Sequence, residues 1–168
     1  EYVDKYFFTP VGDGEFDWQY EQHACVVLPD GDIMLFDNGH YRAKNPDNYI
    51  PNSQNFSRGV RYRIDTDKMT IEQVWQYGKE RGAEFFSPYI CNVEYYDEGH
   101  YMVHSGGIGY LDGKPCEGMA VMLAMQPETK DRVSFESITC ELIDDEVVYE
   151  LHVPANCYRA EKLPIYFA

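Results

Sequence analysis

The sequence lacks the short motifs of the commonest enzyme classes. It contains no GxSxG, no phosphate-binding P-loop and no GxGxxG, so it gives no support for a serine hydrolase, a P-loop enzyme or a dinucleotide-dependent enzyme. HExxH and paired CxxC patterns are missing too, and the acidic residues Asp65 and Asp67 fit a hairpin turn better than a calcium loop. We therefore expect no metal site and no cofactor.

Cysteine is scattered rather than patterned. The five cysteines have no spacing typical of zinc binding and lie at Cys25, Cys91, Cys116, Cys140 and Cys157. An odd number excludes complete pairing within the chain, while one or two disulfides stay open. We expect buried thiols in strands.

Positive charge and long apolar runs are also scarce. The chain has 14 Lys and Arg against 29 Asp and Glu, a net charge of −15, which argues against nucleic acid or an anionic membrane surface as a partner. No apolar run is long enough to span a membrane, and the first residues do not form a signal peptide, so we expect a soluble chain. It begins at Glu1, and we expect either a processed protein or the later part of a longer one.

What the chain does have is strands. Aromatic residues make up 15% of it, and apolar runs of strand length recur, among them ACVVL, IMLF, GVRYRID, AVMLAM, SFESITCEL and LPIYFA. Turn signals separate these runs, as at Pro29 to Asp32 and Pro127 to Lys130. This alternation predicts an all-β chain of hairpins.

Two parts of the chain resemble each other. Each contains two successive hairpins, and Phe36 matches Val103 at a shift of 67 residues. Tandem units of four antiparallel strands are typical of propeller blades, so we predict a β-propeller with blade-like units at about 17–83 and 84–153 and a terminal strand at 158–168. A β-sandwich is the alternative fold.

The first predicted unit also carries an insertion. Residues 41–57 are rich in Asn, Pro and Ser, which predicts a long loop within that unit. Because about four to eight blades are needed to close a ring, we expect this chain to supply only the last blades. Upstream blades of the same protein, or a second copy in a homodimer, would complete the ring.

The leading candidate for chemistry is His104, which is predicted to end an apolar strand and is followed by Ser105, Gly106 and Gly107. Such small neighbours leave room for a ligand, and the strand ends of a propeller line its channel. A histidine held by backbone partners is the alternative interpretation.

Four more residues are candidates for the same channel. His23 precedes the first apolar strand, and Asn38 and Arg42 follow its partner strand, where the repeat places His104 in the second unit. Arg42 and Arg58 each offer a planar fork of donors suited to a tetrahedral oxyanion. The remaining histidines, predicted to be structural or at the surface, are His40, His100 and His152.

Specific stretches of the sequence resemble bacterial arylsulfate sulfotransferases. They are QHACVVLPDGDIMLFDNG, SRGVRYRID, QVWQYGKERG with SPY shortly after, HSGGIGYLDG and YRAEKLPIYF. The resemblance runs from about Asp17 to the end and corresponds to the C-terminal part of that family. It implies a six-bladed propeller, an extracytoplasmic location, and transfer of a sulfuryl group from a phenolic sulfate ester to a phenol, without a nucleotide sulfate donor.

The resemblance also implies residue roles. His104 matches the histidine that is transiently sulfurylated, His23 a histidine that contacts sulfate and acts as an acid or base, and Arg42 the sulfate-binding arginine, with Arg58 as its alternative. Asn38 is a further candidate ligand. Another histidine of that family lies upstream of this chain. Two other functions stay open, namely an arylsulfatase that uses water as acceptor and a propeller module that binds without turnover.

Overall fold

The computed structural model describes residues 7–117 and 126–163. Strands dominate these residues, the helical segments among them are short 3-10 turns, and the expectation of an all-β chain is confirmed. Within the same ranges, no helix has the length and apolar character needed to cross a bilayer.

The first sheet contains five strands. They are β1 (Thr9–Val11), β2 (His23–Val27), β3 (Ile33–Asp37), β4 (Arg58–Asp65) and β5 (Thr70–Tyr77). Their order in the sheet is β1-β5-β4-β3-β2. Strands β2 to β5 form an antiparallel meander, and β1 adds in parallel beside β5.

The second sheet lies later in the chain. Its strands are β6 (Asn92–Asp97), β7 (His100–Leu111), β8 (Lys114–Pro115), β9 (Val133–Ile143) and β10 (Glu146–Val153). The order is β10-β9-β7-β6, all antiparallel, and β8 folds back on the end of β7. Strand β3 in the first sheet and β7 in the second are therefore inner strands with partners on both sides.

Turn chemistry explains why the chain reverses where it does. Gly31 has a φ of 93°, a left-handed conformation that glycine adopts without strain, and Asp30 accepts a hydrogen bond from the backbone N–H of Asp32. Asp65 does the same for the N–H groups of Asp67 and Lys68. Local side-chain contacts thus fix both hairpins of the first sheet.

Residues 41–57 form the long loop that the sequence predicts. Two short 3-10 helices, Pro46–Asn48 and Asn52–Gln54, lie within it, and Asn45 caps the first. Another 3-10 segment, Lys79–Glu84, connects the two sheets. The loop thus leaves the meander directly after Asp37 and returns to it at Arg58.

One hydrophobic core joins the two sheets. Met34 and Phe36 of β3 pack in the same cluster as Val93 and Val103 of the second sheet, and all four are buried. At Gly59, an added Cβ would lie 3.0 Å from Val93 and 3.1 Å from Val103, so the second sheet packs directly against β4 where β4 has no side chain.

The opposite face of the first sheet has a core of its own. Leu35, which alternates with Met34 and Phe36 along β3, packs there with Val60 and Tyr62. Because both faces of β3 are covered, this strand is apolar throughout until Asp37.

Three predictions from the sequence are corrected or left open by the structure. Strand β7 runs on to Leu111, so His104 lies within a strand and not at its end. The run AVMLAM, residues 120–125, lies outside the described residues, and so does 164–168 of the terminal strand, whose residues 158–163 form no strand. Packed sheets occur both in propellers and in sandwiches, so the blade arrangement stays a prediction.

Candidate active site

His104 is buried at the centre of the second sheet. It lies on β7 directly opposite Asn92 of β6 and Thr139 of β9, and its residue surface is 2% exposed. Its Nδ1 is 2.8 Å from the hydroxyl of Thr139, and its Nε2 is 3.0 Å from the carbonyl oxygen of Cys157. Both ring nitrogens are therefore engaged.

These partners determine the tautomer of His104. A carbonyl oxygen only accepts hydrogen bonds, so Nε2 carries a proton and donates it to Cys157. Burial lowers the pKa of His104, against a smaller opposing effect of that carbonyl, so the ring is neutral. The lone pair then lies on Nδ1 and accepts the hydroxyl hydrogen of Thr139.

The carbonyl of Cys157 belongs to residues 154–163, which we call the C-terminal strap. The backbone N–H of Cys157 donates to the carbonyl of Gly106 over 2.8 Å. The side chain of Asn92 holds Ala160 from both sides, accepting from its N–H at 3.0 Å and donating to its carbonyl at 2.8 Å. A backbone carbonyl of the strap therefore covers His104. The strap itself is held by Asn92 on the neighbouring strand β6 and by the carbonyl of Gly106.

Gly106 allows this close approach. A Cβ at this position would lie 2.0 Å from the carbonyl oxygen of Cys157 and 2.9 Å from Nε2 of His104. Any larger residue must displace the strap, because backbone atoms cannot move aside as a side-chain tip can. The small residues that follow His104 thus make room for this chain's own backbone.

His23 begins β2 next to an irregularity in the pairing of β2 with β3. Its Nδ1 is 2.7 Å from Oδ1 of Asn38. The amide nitrogen of Asn38 donates to the carbonyls of Ser87 and Ile90, at 2.8 and 3.1 Å, which leaves its oxygen facing His23. Nδ1 of His23 is therefore the donor, and Nε2 makes no hydrogen bond with any described residue.

Asn38 connects the two halves of the site. It is fully buried, and its amide nitrogen also lies 3.6 Å from the sulfur of Cys91, which in turn accepts the N–H of Gly106 at 3.2 Å. Burial raises the pKa of the Cys91 thiol to about 12, so it stays protonated. One hydrogen-bonded network thus extends from His23 through Asn38 to the backbone beside His104.

Arg42 reaches back from the loop to the end of β3. Its guanidinium bonds to Asp37 at 2.9 Å and to Asn55 at 3.2 Å, and it lies over the ring of Phe56 at 3.9 Å. Further donors go to the carbonyls of Trp18 and Phe56. Among the described residues, one Nη1 hydrogen is left without a partner, which is less than a bidentate grip on an anion requires.

Arg58 is even more committed. It is fully buried and donates to Asp37 at 3.0 Å, to Gln73 at 3.0 Å and to the carbonyl of Asp17 at 2.9 Å. Asp37 thus lies between two guanidiniums, and its other oxygen accepts the N–H of Tyr20. A buried carboxylate with two arginine partners is an internal ion cluster, and in this arrangement Arg58 holds Asp37.

The structure therefore connects His23, Asn38 and His104 and places both arginines on Asp37. Sequence reasoning did not single out Asp37, Asn92 or Thr139. The repeat could have found Asp37, since it lies 67 residues before His104, whereas Asn92 and Thr139 emerge only from strand register.

The other histidines lie apart from this network. His100 starts β7 and bonds to Glu141 at 2.7 Å, and His152 on β10 lies between Glu136 and Glu150 at 2.6 and 2.5 Å. His40 is 5% exposed and so is not at the surface.

The cysteines form no disulfide among the described residues. All five cysteines, each within the described ranges, are free, and three of them are buried. Residues 7–117 and 126–163 contain no group of three or more His, Cys, Asp or Glu side chains arranged to hold a metal ion.

Fold and site together define an all-β protein whose candidate chemistry depends on histidine, supported by amide and guanidinium groups. The family model of the arylsulfotransferases (ASST) matches residues 1–163, and the chain belongs to this family. The predicted resemblance is confirmed.

Two curated relatives carry the name arylsulfate sulfotransferase AssT. The one from Escherichia coli O6:H1 (strain CFT073) is 39% identical over 107 residues, which cover 62% of this chain and 17% of that protein. The one from Lelliottia amnigena is 38% identical over 107 residues, with the same coverage. The match therefore spans less than a fifth of the length of either relative.

Proposed function

We propose that this chain is part of an arylsulfate sulfotransferase that moves a sulfuryl group from a phenolic sulfate ester to a phenol through a sulfo-histidine at His104. The transfer needs no nucleotide sulfate donor. The observation that carries the proposal is the neutral, buried imidazole of His104 in one hydrogen-bonded network with His23, in a chain of the arylsulfotransferase family.

The attacking atom is Nε2 of His104. Nδ1 faces Thr139 of the neighbouring strand inside the sheet, where no substrate fits, whereas Nε2 faces only the strap. Attack therefore requires the carbonyl of Cys157 to withdraw and the ring proton to move from Nε2 to Nδ1. Thr139 permits the change because a hydroxyl both donates and accepts.

In the first half-reaction the Nε2 lone pair forms a bond to sulfur as the bond from sulfur to the phenolic oxygen breaks. His23, in its protonated form, gives its Nε2 proton to the departing phenolate. The Nδ1 proton of His104 stays on the ring and donates to Thr139, which stabilises the positive charge of the sulfurylated imidazole.

In the second half-reaction an acceptor phenol gives its proton to the now neutral His23 and attacks the same sulfur. The bond between nitrogen and sulfur breaks, and the electron pair returns to Nε2 of His104. The two half-reactions give ping-pong kinetics. Asn38 orients His23 throughout, because its anchored amide oxygen accepts the Nδ1 proton.

Sulfate oxygens are held by Arg42 with its remaining N–H and by the protonated form of His23. Asn38 reaches the sulfate only through His23, since its own amide groups are engaged. Arg58 holds Asp37, and Asp37 holds Arg42, so Arg58 acts as a positioning residue.

The whole protein is proposed to be an extracytoplasmic six-bladed propeller in which this chain supplies the last blades. The matched segment is 17% of the length of the relatives, which is consistent with further blades elsewhere in the protein. A second copy of the chain is the other way to complete the site.

The test uses the full protein with 4-nitrophenyl sulfate as donor and phenol as acceptor. Nitrophenol release should rise with phenol concentration and should be abolished in His104→Ala, while the matched surface variant His152→Ala keeps the wild-type rate. Intact mass spectrometry of the wild-type protein, quenched after reaction with the donor in the absence of acceptor, should show an added sulfuryl group. Full turnover in His104→Ala overturns the proposal.

The same assay separates the alternatives. Release that ignores phenol and yields free sulfate identifies an arylsulfatase. No release from a protein that still binds the donor identifies a binding module.

A further inference from the structure

A cavity lies beside the long loop, away from the strap. It has a volume of about 450 Å³, and its walls include the rings of His40, Tyr41 and Tyr49 and the side chain of Glu117. The two tyrosines are 46% and 43% exposed, so aromatic surface faces this open space. Exposed rings around one cavity are typical of a ligand site.

His40 provides an unused polar atom in the wall. The residue is 5% exposed, and its Nε2 is buried without a hydrogen-bond partner among the described residues. Burial lowers the pKa of His40, against a weaker opposing effect of Glu21, so the ring is neutral. A buried nitrogen without a partner is costly, and a ligand hydroxyl would remove that cost.

Tyr41 covers this imidazole in an uncommon backbone conformation. Its ring centroid lies 3.7 Å from that of His40 and 5.0 Å from that of Tyr49. Its φ is 53°, in the left-handed region that bulky residues rarely adopt. A ligand ring that stacks on His40 would therefore take the place of the exposed Tyr41 ring.

The charges around the cavity select against anions. Hydrogen bonds from the backbone of Asn52 and Ser53 hold the pKa of Glu117 below its ordinary value although burial opposes this, so its carboxylate is charged. Glu21 is a further negative group, and it acts on His40. An aryl sulfate, which is anionic, meets like charge here, whereas a neutral phenol does not.

We propose that this cavity binds a neutral phenol, with the phenol ring stacked on His40 and its hydroxyl bonded to Nε2. The neutral His40 with its proton on Nδ1 presents a lone pair at Nε2, and this lone pair accepts the phenol hydrogen, which anisole cannot supply. The inference rests on the proposed function, in which a phenol is the acceptor, and His40 follows by two residues the Asn38 that orients His23. The cavity would bind the acceptor apart from the transfer site at His104 and would exclude the anionic donor.

The experiment measures binding in the full protein with no sulfate donor present. The probes are phenol, anisole, which lacks the hydroxyl hydrogen, and benzenesulfonate, an aryl anion that cannot transfer a sulfuryl group. NMR signals of the His40 imidazole and the Tyr41 ring report occupancy of this cavity. Phenol should shift both signals saturably, and benzenesulfonate should not.

A variant isolates the hydrogen bond. His40→Phe keeps a ring in the wall and should weaken phenol binding roughly three- to tenfold, the effect of one neutral hydrogen bond, without changing anisole binding. Tyr149→Ala, at an exposed tyrosine on β10, should change neither.

Equal binding of phenol and anisole to the wild-type protein overturns the proposal, and this comparison does not depend on whether a variant folds. Unmoved His40 signals overturn it too, including when another part of the protein fills the cavity. Because no donor is present, a failure of sulfuryl transfer at His104 leaves the binding result intact.

Discussion

Asp37 and His104 occupy matching places on inner strands of the two sheets. Asp37 ends the apolar part of β3 and bonds to Arg58, directly opposite on β4, whereas His104 on β7 bonds to Thr139, directly opposite on β9. The same position thus carries an ion cluster in one sheet and the proposed nucleophile in the other.

The ion cluster predicts a large effect on stability. Asp37→Asn keeps the shape but removes the carboxylate that two buried guanidiniums share, which should lower the free energy of unfolding by about 3–5 kcal/mol. Urea denaturation measures this loss, with the exposed turn variant Asp67→Asn as the control. A loss below about 1 kcal/mol would mean that solvent or a neighbouring residue compensates the arginines.

Thr139 predicts a positioning effect. Thr139→Val keeps the branched shape and removes the hydroxyl, so the sulfurylated His104 loses the acceptor for its Nδ1 proton. Sulfuryl transfer should fall roughly fivefold, as expected for about 1 kcal/mol. Thr139→Ser should restore the rate, and in the valine variant alone the ¹⁵N signal of Nδ1 should shift, because Nδ1 loses the hydroxyl while Nε2 keeps its proton on the carbonyl of Cys157. An unchanged spectrum in Thr139→Val would contradict the assigned contact.

The close approach of the strap to Gly106 predicts that one added methyl group displaces the strap. In Gly106→Ala the Cβ would lie 2.0 Å from the carbonyl oxygen of Cys157, so the strap should leave His104. As burial decreases, the lowered pKa of His104 should rise toward its ordinary value, which NMR titration measures. Gly14→Ala, where a Cβ meets nothing within 4 Å, should leave the titration unchanged. The same pKa in both variants would show that the strap does not bury this histidine.

The ion pairs of His152 predict a contribution to stability that falls as pH rises. Hydrogen bonds to Glu150 and Glu136 raise its pKa, so the folded chain holds the proton more tightly than the unfolded chain. The resulting stabilisation is fully present below the unfolded pKa and is lost as pH rises through the raised one. His152→Gln should therefore lower the urea midpoint at about pH 5.5 and leave it unchanged at about pH 9. If the variant and the wild-type protein have the same midpoint at each of the two pH values, the pairing of His152 with Glu136 and Glu150 is refuted.

Local chemistry explains which parts of the fold could be predicted. The reversal at Asp30 and Gly31 depends only on neighbouring atoms, and the apolar run of β3 reflects burial on both faces, so hairpins could be inferred without coordinates. The long loop could be predicted from its Asn and Pro content for the same reason.

The site depended on long-range contacts that no local pattern records. Ser105, Gly106 and Gly107 resemble a strand end, yet β7 continues past them with an irregularity between Ser105 and Ile108, and the strap fills the space they leave. The fork of Arg42 could be proposed as an anion ligand from its type alone, but its pairing with Asp37 depends on how the loop returns to the sheet.

The strap contacts His104 through a main-chain carbonyl and not through a side chain. Replacing Cys157 by alanine therefore leaves that contact in place, so an alanine variant at this position would not reveal the cover over His104. A substitution at position 157 perturbs this contact only if it changes the backbone. Cys157→Pro does so, because it removes the N–H that donates to the carbonyl of Gly106.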